Sequence, residues 1–198
     1  MTPRAWLVDL DGTLYHALPV KLAMALELAL FGWAAAAPLR RFRHVHEELR
    51  ADPAAPAGDP FALQLERTAA AGGLDARELD AIVREWMVDR PGKWLRLARR
   101  GALLAELAHF RASGGRSGLV SDYPARAKLR ALGAAGLFDV VVAAGEPEGP
   151  ARLKPAPDGL LGAARALGVA PAECLVIGDR DDADGEAARR AGMAFRRV

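Results

Sequence analysis

The chain has 198 residues, a formal net charge of +2, 52% apolar residues and 26% charged ones. That is long enough to bury a full core, as one domain or as a domain with a modest insertion, and too apolar for a disordered segment. So small a surplus of charge does not mark a nucleic-acid binder. The basic residues are lopsided, with 23 Arg against four Lys, which makes each lysine conspicuous. The single cysteine, Cys174, allows no internal disulfide, and a reducing compartment is natural for it. Acidic residues occupy the place where a secretory signal would need its apolar stretch. The most membrane-like segment, Leu18 to Ala37, is broken by Lys21 and Glu27. The expectation is a soluble cytoplasmic protein with neither a nucleic-acid nor a membrane partner; its oligomeric state is open.

The apolar run Ala5-Trp6-Leu7-Val8 predicts a buried strand that stops at Asp9-Leu10-Asp11-Gly12-Thr13-Leu14, because Asp and Gly are poor strand formers. Alternation sends the Asp9 and Asp11 side chains the same way, and two carboxylates so close call for a cation or a shared proton. Pro19 opens a helical segment to about Ala37, where Pro38 is expected to stop it. Leu39 to Arg50 reads as a second helix with a basic face of Arg40, Arg41 and Arg43, joined by His44 and His46. A solvated face is the simpler reading of that cluster, and two histidines two residues apart cannot both aim at one metal from one helix. A Pro-rich loop follows, then helices over Phe61 to Ala71 and Ala76 to Val88. Phe31, Trp33 and Trp86 read as core of this helical stretch.

From Lys93 the texture changes. A helix over Trp94 to Arg111, a strand from Ser117 to Val120 and a helix to about Leu132 come first. A strand at Val140 to Ala143, a helix to about Leu167, a strand at Leu175-Val176-Ile177, a helix from about Gly185 to Ala191 and a strand from Ala194 to Val198 follow. This alternation predicts an α/β fold: a Rossmann-like parallel sheet with helices on both faces. Residues 1–15 and 93–198 would form that core, and residues 16–92 a small all-helical cap inserted after the first strand.

Three later strand ends bring polar groups to the edge where Asp9 and Asp11 sit. These are Ser121 after Gly118-Leu119-Val120, Lys154 in Leu153-Lys154-Pro155-Ala156-Pro157, and the acidic cluster Gly178-Asp179-Arg180-Asp181-Asp182-Ala183-Asp184-Gly185. Each alone has a plain alternative: a helix cap, a surface lysine, a helix N-terminus suited to carboxylates. Ligands of open α/β sheets bind outside the carboxyl ends of the strands, so the four together point to one site. The acidic cluster also suggests a calcium loop, but Arg180 and Ala191 stand where first and twelfth ligands would be required.

Asp-x-Asp-Gly-Thr, a strand-end Ser, Lys-Pro-x-Pro and Gly-Asp-x-x-Asp-x-Asp, in this order, resemble the motifs of the haloacid dehalogenase superfamily, and of its magnesium-dependent phosphatase branch in particular. The resemblance covers residues 4–15 and about 93–198, and the helical insertion matches that branch's cap by position and class alone. It implies a phosphatase that hydrolyses a small phosphorylated metabolite through an aspartyl-phosphate. Asp9 would be the nucleophile, and Asp11 the acid for the leaving alcohol and then the base for water. Mg²⁺ would take Asp9, the main-chain carbonyl of Asp11 and Asp179, while Ser121 and Lys154 would hold the phosphate. Asp184, with Asp182 as the alternative, would orient waters rather than bind metal directly. Arg152 and Asp122 depart from the commonest choices of that family. A phosphomutase, a 2-haloacid dehalogenase and a non-catalytic phospho-acceptor remain as alternatives. Asp11 and the acidic last motif weigh against the dehalogenase.

Overall fold

β1 (Ala5–Val8) is the middle strand of a five-stranded, wholly parallel sheet of order β3-β2-β1-β4-β5. The computed structural model describes residues 2–198. The other strands are β2 (Arg116–Ser121), β3 (Val140–Ala143), β4 (Cys174–Gly178) and β5 (Ala194–Arg197). The chain lays β2 and β3 to one side of β1 and β4 and β5 to the other. The order therefore reverses between β1 and β4, and the carboxyl ends of the strands at such a reversal are where open α/β sheets bind ligands.

Alternation along β1 sends Trp6 and Val8 to one face and Ala5 and Leu7 to the other, as a period of two requires. The first face packs under α1 (Ala17–Phe31), α5 (Gly92–Ala98), α6 (Gly101–Ala112) and α7 (Arg126–Leu132). The second packs under α8 (Asp158–Leu167) and α9 (Glu186–Ala191). Between α1 and α5 run α2 (Ala36–Ala51), α3 (Pro60–Gly72) and α4 (Ala76–Val83), the last continued by a π-helical turn at Arg84–Asp89. In α2 the buried positions Leu39, Phe42, Val45, His46 and Leu49 recur at helical spacing. They meet Phe61, Leu79, Val83 and Trp86 in a hydrophobic cluster separate from the two that cover the sheet. The N-caps are chemically plain: Asp59 accepts from the N–H groups of Phe61 and Ala62, and Asp75 from those of Arg77 and Glu78.

Four sequence expectations are corrected. Pro38 does not stop a helix; it lies in the first turn of α2, where a missing N–H costs nothing. The break falls instead at Gly32, where a Cβ would lie 2.0 Å from the Trp86 ring. The helix expected over Trp94 to Arg111 is two helices. Arg99 forms an antiparallel bridge with Tyr15, and the N–H groups of His16 and Arg100 donate to Ala98 and Leu14 carbonyls at 2.8 Å each. Pairing of the outgoing and returning chain thus replaces the helical bonds at Arg99-Arg100. Phe31 and Trp33 are exposed, and only Trp86 is core. Finally, His46 leaves the basic face and is buried, stacked on Tyr123 with ring centroids 4.4 Å apart.

The surroundings of His46 define its state. Gln64 donates through Nε2 to the Phe42 carbonyl at 2.8 Å, which leaves its Oε1 to accept from His46 Nδ1 at 3.1 Å. Burial lowers the imidazole pKa and so favours the neutral ring, and the Gln64 Oε1 acceptor favours its Nδ1–H tautomer. No single described helix is long and apolar enough to cross a membrane.

Candidate active site

Backbone geometry at the end of β1 is set by one glycine. After Asp9 the chain turns at once: the N–H groups of Thr13 and Leu14 both bond back to the Leu10 carbonyl. Gly12 takes a left-handed φ of 98°, and a Cβ there would lie 2.4 Å from Asp179 Oδ2. Only glycine admits both the turn and the approach of the β4-end carboxylate.

Four carboxylates and two ammonium groups gather around this turn. Asp9, 9% exposed, accepts from Lys154 Nζ at 2.6 Å on Oδ1 and from the Thr13 hydroxyl at 2.9 Å on Oδ2. Lys154 also donates to Asp184 Oδ1 at 2.6 Å and to the Val120 carbonyl at 3.3 Å. Asp184 in turn accepts on Oδ2 from the Arg180 N–H at 3.2 Å. Oxygens of Asp9, Asp179 and Asp184 lie within 4.8 Å of one another. Asp182, by contrast, points to solvent and pairs with Arg180 at 2.6 Å, so of the two alternatives it is Asp184 that faces the cluster. Ser121 ends β2 fully buried, and its hydroxyl accepts from the Tyr123 N–H at 3.2 Å. No hydrogen bond among the described residues joins it to the acids.

Asp11 belongs to a second group that the motif reading missed. Lys128 Nζ donates to both of its oxygens, at 2.7 and 2.8 Å, and the Tyr15 hydroxyl donates to Oδ1. Lys128 is buried on α7 beside Ala125, Leu129 and Leu132. A signal was present: Lys128 stands among apolar neighbours on the inward face of a helix, in a chain with only four lysines. Arg50 and Arg100 were likewise overlooked, and Asp122 was singled out only as a departure from the commonest family choice. Arg50 of α2 donates through Nε to the Lys154 carbonyl at 2.9 Å, while Asp122 accepts from the Lys154 N–H at 3.1 Å. Arg100 reaches the Gly12 carbonyl at 3.4 Å.

The electrostatics separate the two acids of β1. Burial pushes the Asp9 carboxyl up to about 7 against the pull of the Lys154 ammonium, with the Asp184 charge adding to the rise. Burial raises Asp179 too, again with Asp184 contributing. Burial acts on Asp11 in the same sense, but the Lys128 charge and the bonds from Lys128 and Tyr15 outweigh it and hold that carboxyl below its usual range. Lys154 loses some basicity to burial and regains more from Asp9 and Asp184, so it stays charged. With every carboxylate ionised, the cluster would be two negative charges in excess. That surplus, on hard oxygens within reach of one another, fits a small divalent cation among the carboxylates of Asp9, Asp179 and Asp184.

The two groups make separate demands on their lysines. In Lys128→Met the carboxylate of Asp11 loses both bonds from the ammonium. If Asp11 has the acid–base role that the family resemblance implies, turnover is expected to fall by on the order of 10², because a positioned acid or base is worth about 10²–10⁴. Substrate KM should hold near the wild-type value and Lys128→Arg should recover part of the rate; steady-state kinetics with both variants checks this.

A profile of haloacid dehalogenase-like hydrolases matches residues 3–192. No curated protein sequence matches the chain. Among solved structures, it is similar to a HAD phosphatase from Thermococcus onnurineus at 21% identity and a TM-score of 0.66, over 100% of this chain and 86% of that one. It is similar also to L-2-haloacid dehalogenase from Xanthobacter autotrophicus with chloropropionic acid covalently bound, at 23% identity and a TM-score of 0.67, over 100% and 78%. A third is the HAD-hydrolase YfnB from Bacillus subtilis bound to magnesium, at 16% identity and a TM-score of 0.65, over 98% and 88%. At such identities the likeness shows a shared fold, and the named proteins differ in chemistry. The profile spans nearly the whole length and carries the assignment: the chain belongs to the haloacid dehalogenase-like hydrolases.

Proposed function

We propose that this hydrolase is a Mg²⁺-dependent phosphatase acting on a small phosphorylated metabolite in the cytoplasm. The observation that carries the reading is Asp11, held by Lys128 and Tyr15 one residue beyond the nucleophile's neighbour. A departing halide needs no proton, whereas a departing alcohol does. Asp9 attacks phosphorus, the bond to the ester oxygen breaks with its electron pair, and that oxygen takes a proton from the carboxylic acid form of Asp11, which substrate binding must favour over the ionised form that Lys128 and Tyr15 hold in the free protein. Water then attacks the aspartyl-phosphate, returns a proton to Asp11 and frees Asp9 and inorganic phosphate. Lys154 holds the Asp9 carboxylate in place, and with Ser121 and neighbouring N–H groups offers donors to the phosphoryl oxygens. The metal, when bound, supplies positive charge that lets an anionic nucleophile meet an anionic substrate. Asp184 restrains Lys154 and the backbone at Arg180, which keeps the last motif folded against the site.

Residues 16–92 are read as the cap, and 1–15 with 93–198 as the core. Support comes from the hydrophobic cluster that α2, α3 and α4 form, which reaches the core at Ala144 and Leu153, and from the pairing of Tyr15 with Arg99, where the two crossings meet; α1, within the same insertion, packs its inner face on the sheet. Arg50 lets this cap touch the backbone of Lys154 directly, so a cap that lifts must release that bond.

The test is phosphate release from sugar phosphates, phosphoglycolate, nucleotides and an aryl phosphate, alongside chloride release from 2-chloropropionate. Phosphate release that needs Mg²⁺ and disappears with a chelator is the expected result. Chloride release without metal would overturn the reading in favour of a dehalogenase, and phosphoryl transfer between sugar hydroxyls without net release in favour of a mutase.

A further inference from the structure

Helix α1 shows two unlike faces. Inward, Val20 and Met24 join the core cluster, and Glu27 is turned to Lys93 at 2.8 Å and to the Trp94 indole N–H at 2.6 Å. Outward, Leu18, Leu22, Leu26 and Leu30 are exposed to 67%, 63%, 62% and 62%, and Trp33 just beyond the helix end to 79%. These leucines recur every four residues and so form one ridge, bordered by the exposed small residues Ala25 and Ala29. Lys21 is the one charged residue of α1 that is exposed, because the other, Glu27, is spent inward.

We infer that this face of α1 is the contact between two copies of the chain, with the leucine ridge of one lying in the alanine groove of the other. The surface fits itself: ridge and groove run side by side on one helix, so a two-fold axis brings each onto the other's complement. Its size agrees. Four leucines and a tryptophan at these exposures offer on the order of 600 Å² of apolar surface. With the alanines and flanking backbone this approaches the roughly 800 Å² that each partner gives to a standard interface. A lipid surface suits the face less well, since interfacial helices carry a strongly basic polar side and α1 has Lys21 alone.

The dimer does not depend on the phosphatase reading. Sedimentation of the chain across 1–100 µM should show a monomer–dimer equilibrium. Leu22→Glu/Leu26→Glu should weaken it at least 100-fold while near- and far-UV circular dichroism stay as in the wild type. A second variant guards against misfolding of the first. Ala25→Cys, in the alanine groove near the middle of the helix, should form an intermolecular disulfide under copper–phenanthroline, whereas the wild type, whose only cysteine is buried, should not. A wild-type chain that stays monomeric at 100 µM would overturn the inference. So would a dimer indifferent to the glutamates and without the Ala25→Cys cross-link, or a monomer that floats with neutral phosphatidylcholine vesicles.

Discussion

Asp9→Asn is expected to abolish turnover, with kcat down by on the order of 10⁴–10⁶, the scale on which loss of a nucleophile is felt. The reason is chemical rather than steric. An amide of nearly the same shape keeps a place between Lys154 and Thr13, but it cannot form the acyl-phosphate bond. Stability should move the other way. Burial holds the Asp9 carboxyl near 7, so the folded metal-free chain carries a charge there at a cost, and a neutral amide removes that cost. The expected pair of results is therefore no phosphate release and a metal-free Tm at or above that of the wild type. Retained release at more than a hundredth of the wild-type rate would show that another group attacks.

Lys154→Met should be the most destabilising single change at the site. Its ammonium lies 2.6 Å from both Asp9 and Asp184, with all three groups buried. Removing it leaves two carboxylates facing each other without a cation, and breaking a buried pair from one side costs about 3–5 kcal/mol. For a chain of this length, at about 2–4 °C per kcal/mol, Tm should drop by roughly 6–20 °C in the presence of a chelator. Turnover should fall by about 10²–10³ as the donor to nucleophile and phosphate is lost. Adding Asp184→Asn to Lys154→Met should recover a large part of the Tm and none of the rate, because it lifts the surplus charge without restoring the donor. Calorimetry on the single and double variants separates these effects. A Tm for Lys154→Met within 2 °C of wild type would mean that the buried triad is not what holds the last motif to the sheet.

These two residues were legible without any structure, and the reason is local. An apolar tetrapeptide ended by Asp-Leu-Asp-Gly predicts a buried strand with acids at its exit, and Lys154, which alone reads as a surface lysine, becomes a site candidate because it stands at one of four polar strand ends of a single sheet. The alternation of strands and helices after residue 93 likewise announced the parallel sheet, since each element carries its own period. Where the reading failed, the deciding partner was far away in sequence. Lys128 meets Asp11 across 117 residues, and nothing in the helix around it says that a carboxylate waits at the end of its side chain. Trp94 to Arg111 has an unbroken helical pattern, yet it is cut because Arg99 and Arg100 pair with the outgoing chain at Tyr15 and Leu14.

The same division separates Asp184 from Asp182 and α1 from a core helix. Both acids stand in one short acidic run. Only the fold, by bringing Lys154 up to β4, turns Asp184 inward and leaves Asp182 to Arg180 at the surface. The leucines of α1 carry the composition of a buried helix, but the sheet has room for one of its faces. Hydrophobic composition determined that α1 would be a helix with something to bury; which face stays exposed was decided by what packs against it. The sequence by itself determined the strands, the turn at Gly12 and the chemical types at the four strand ends, because propensity and period act over a few residues. Tertiary structure alone decided which charges meet and which apolar faces go uncovered, because those depend on long-range packing that no local pattern records.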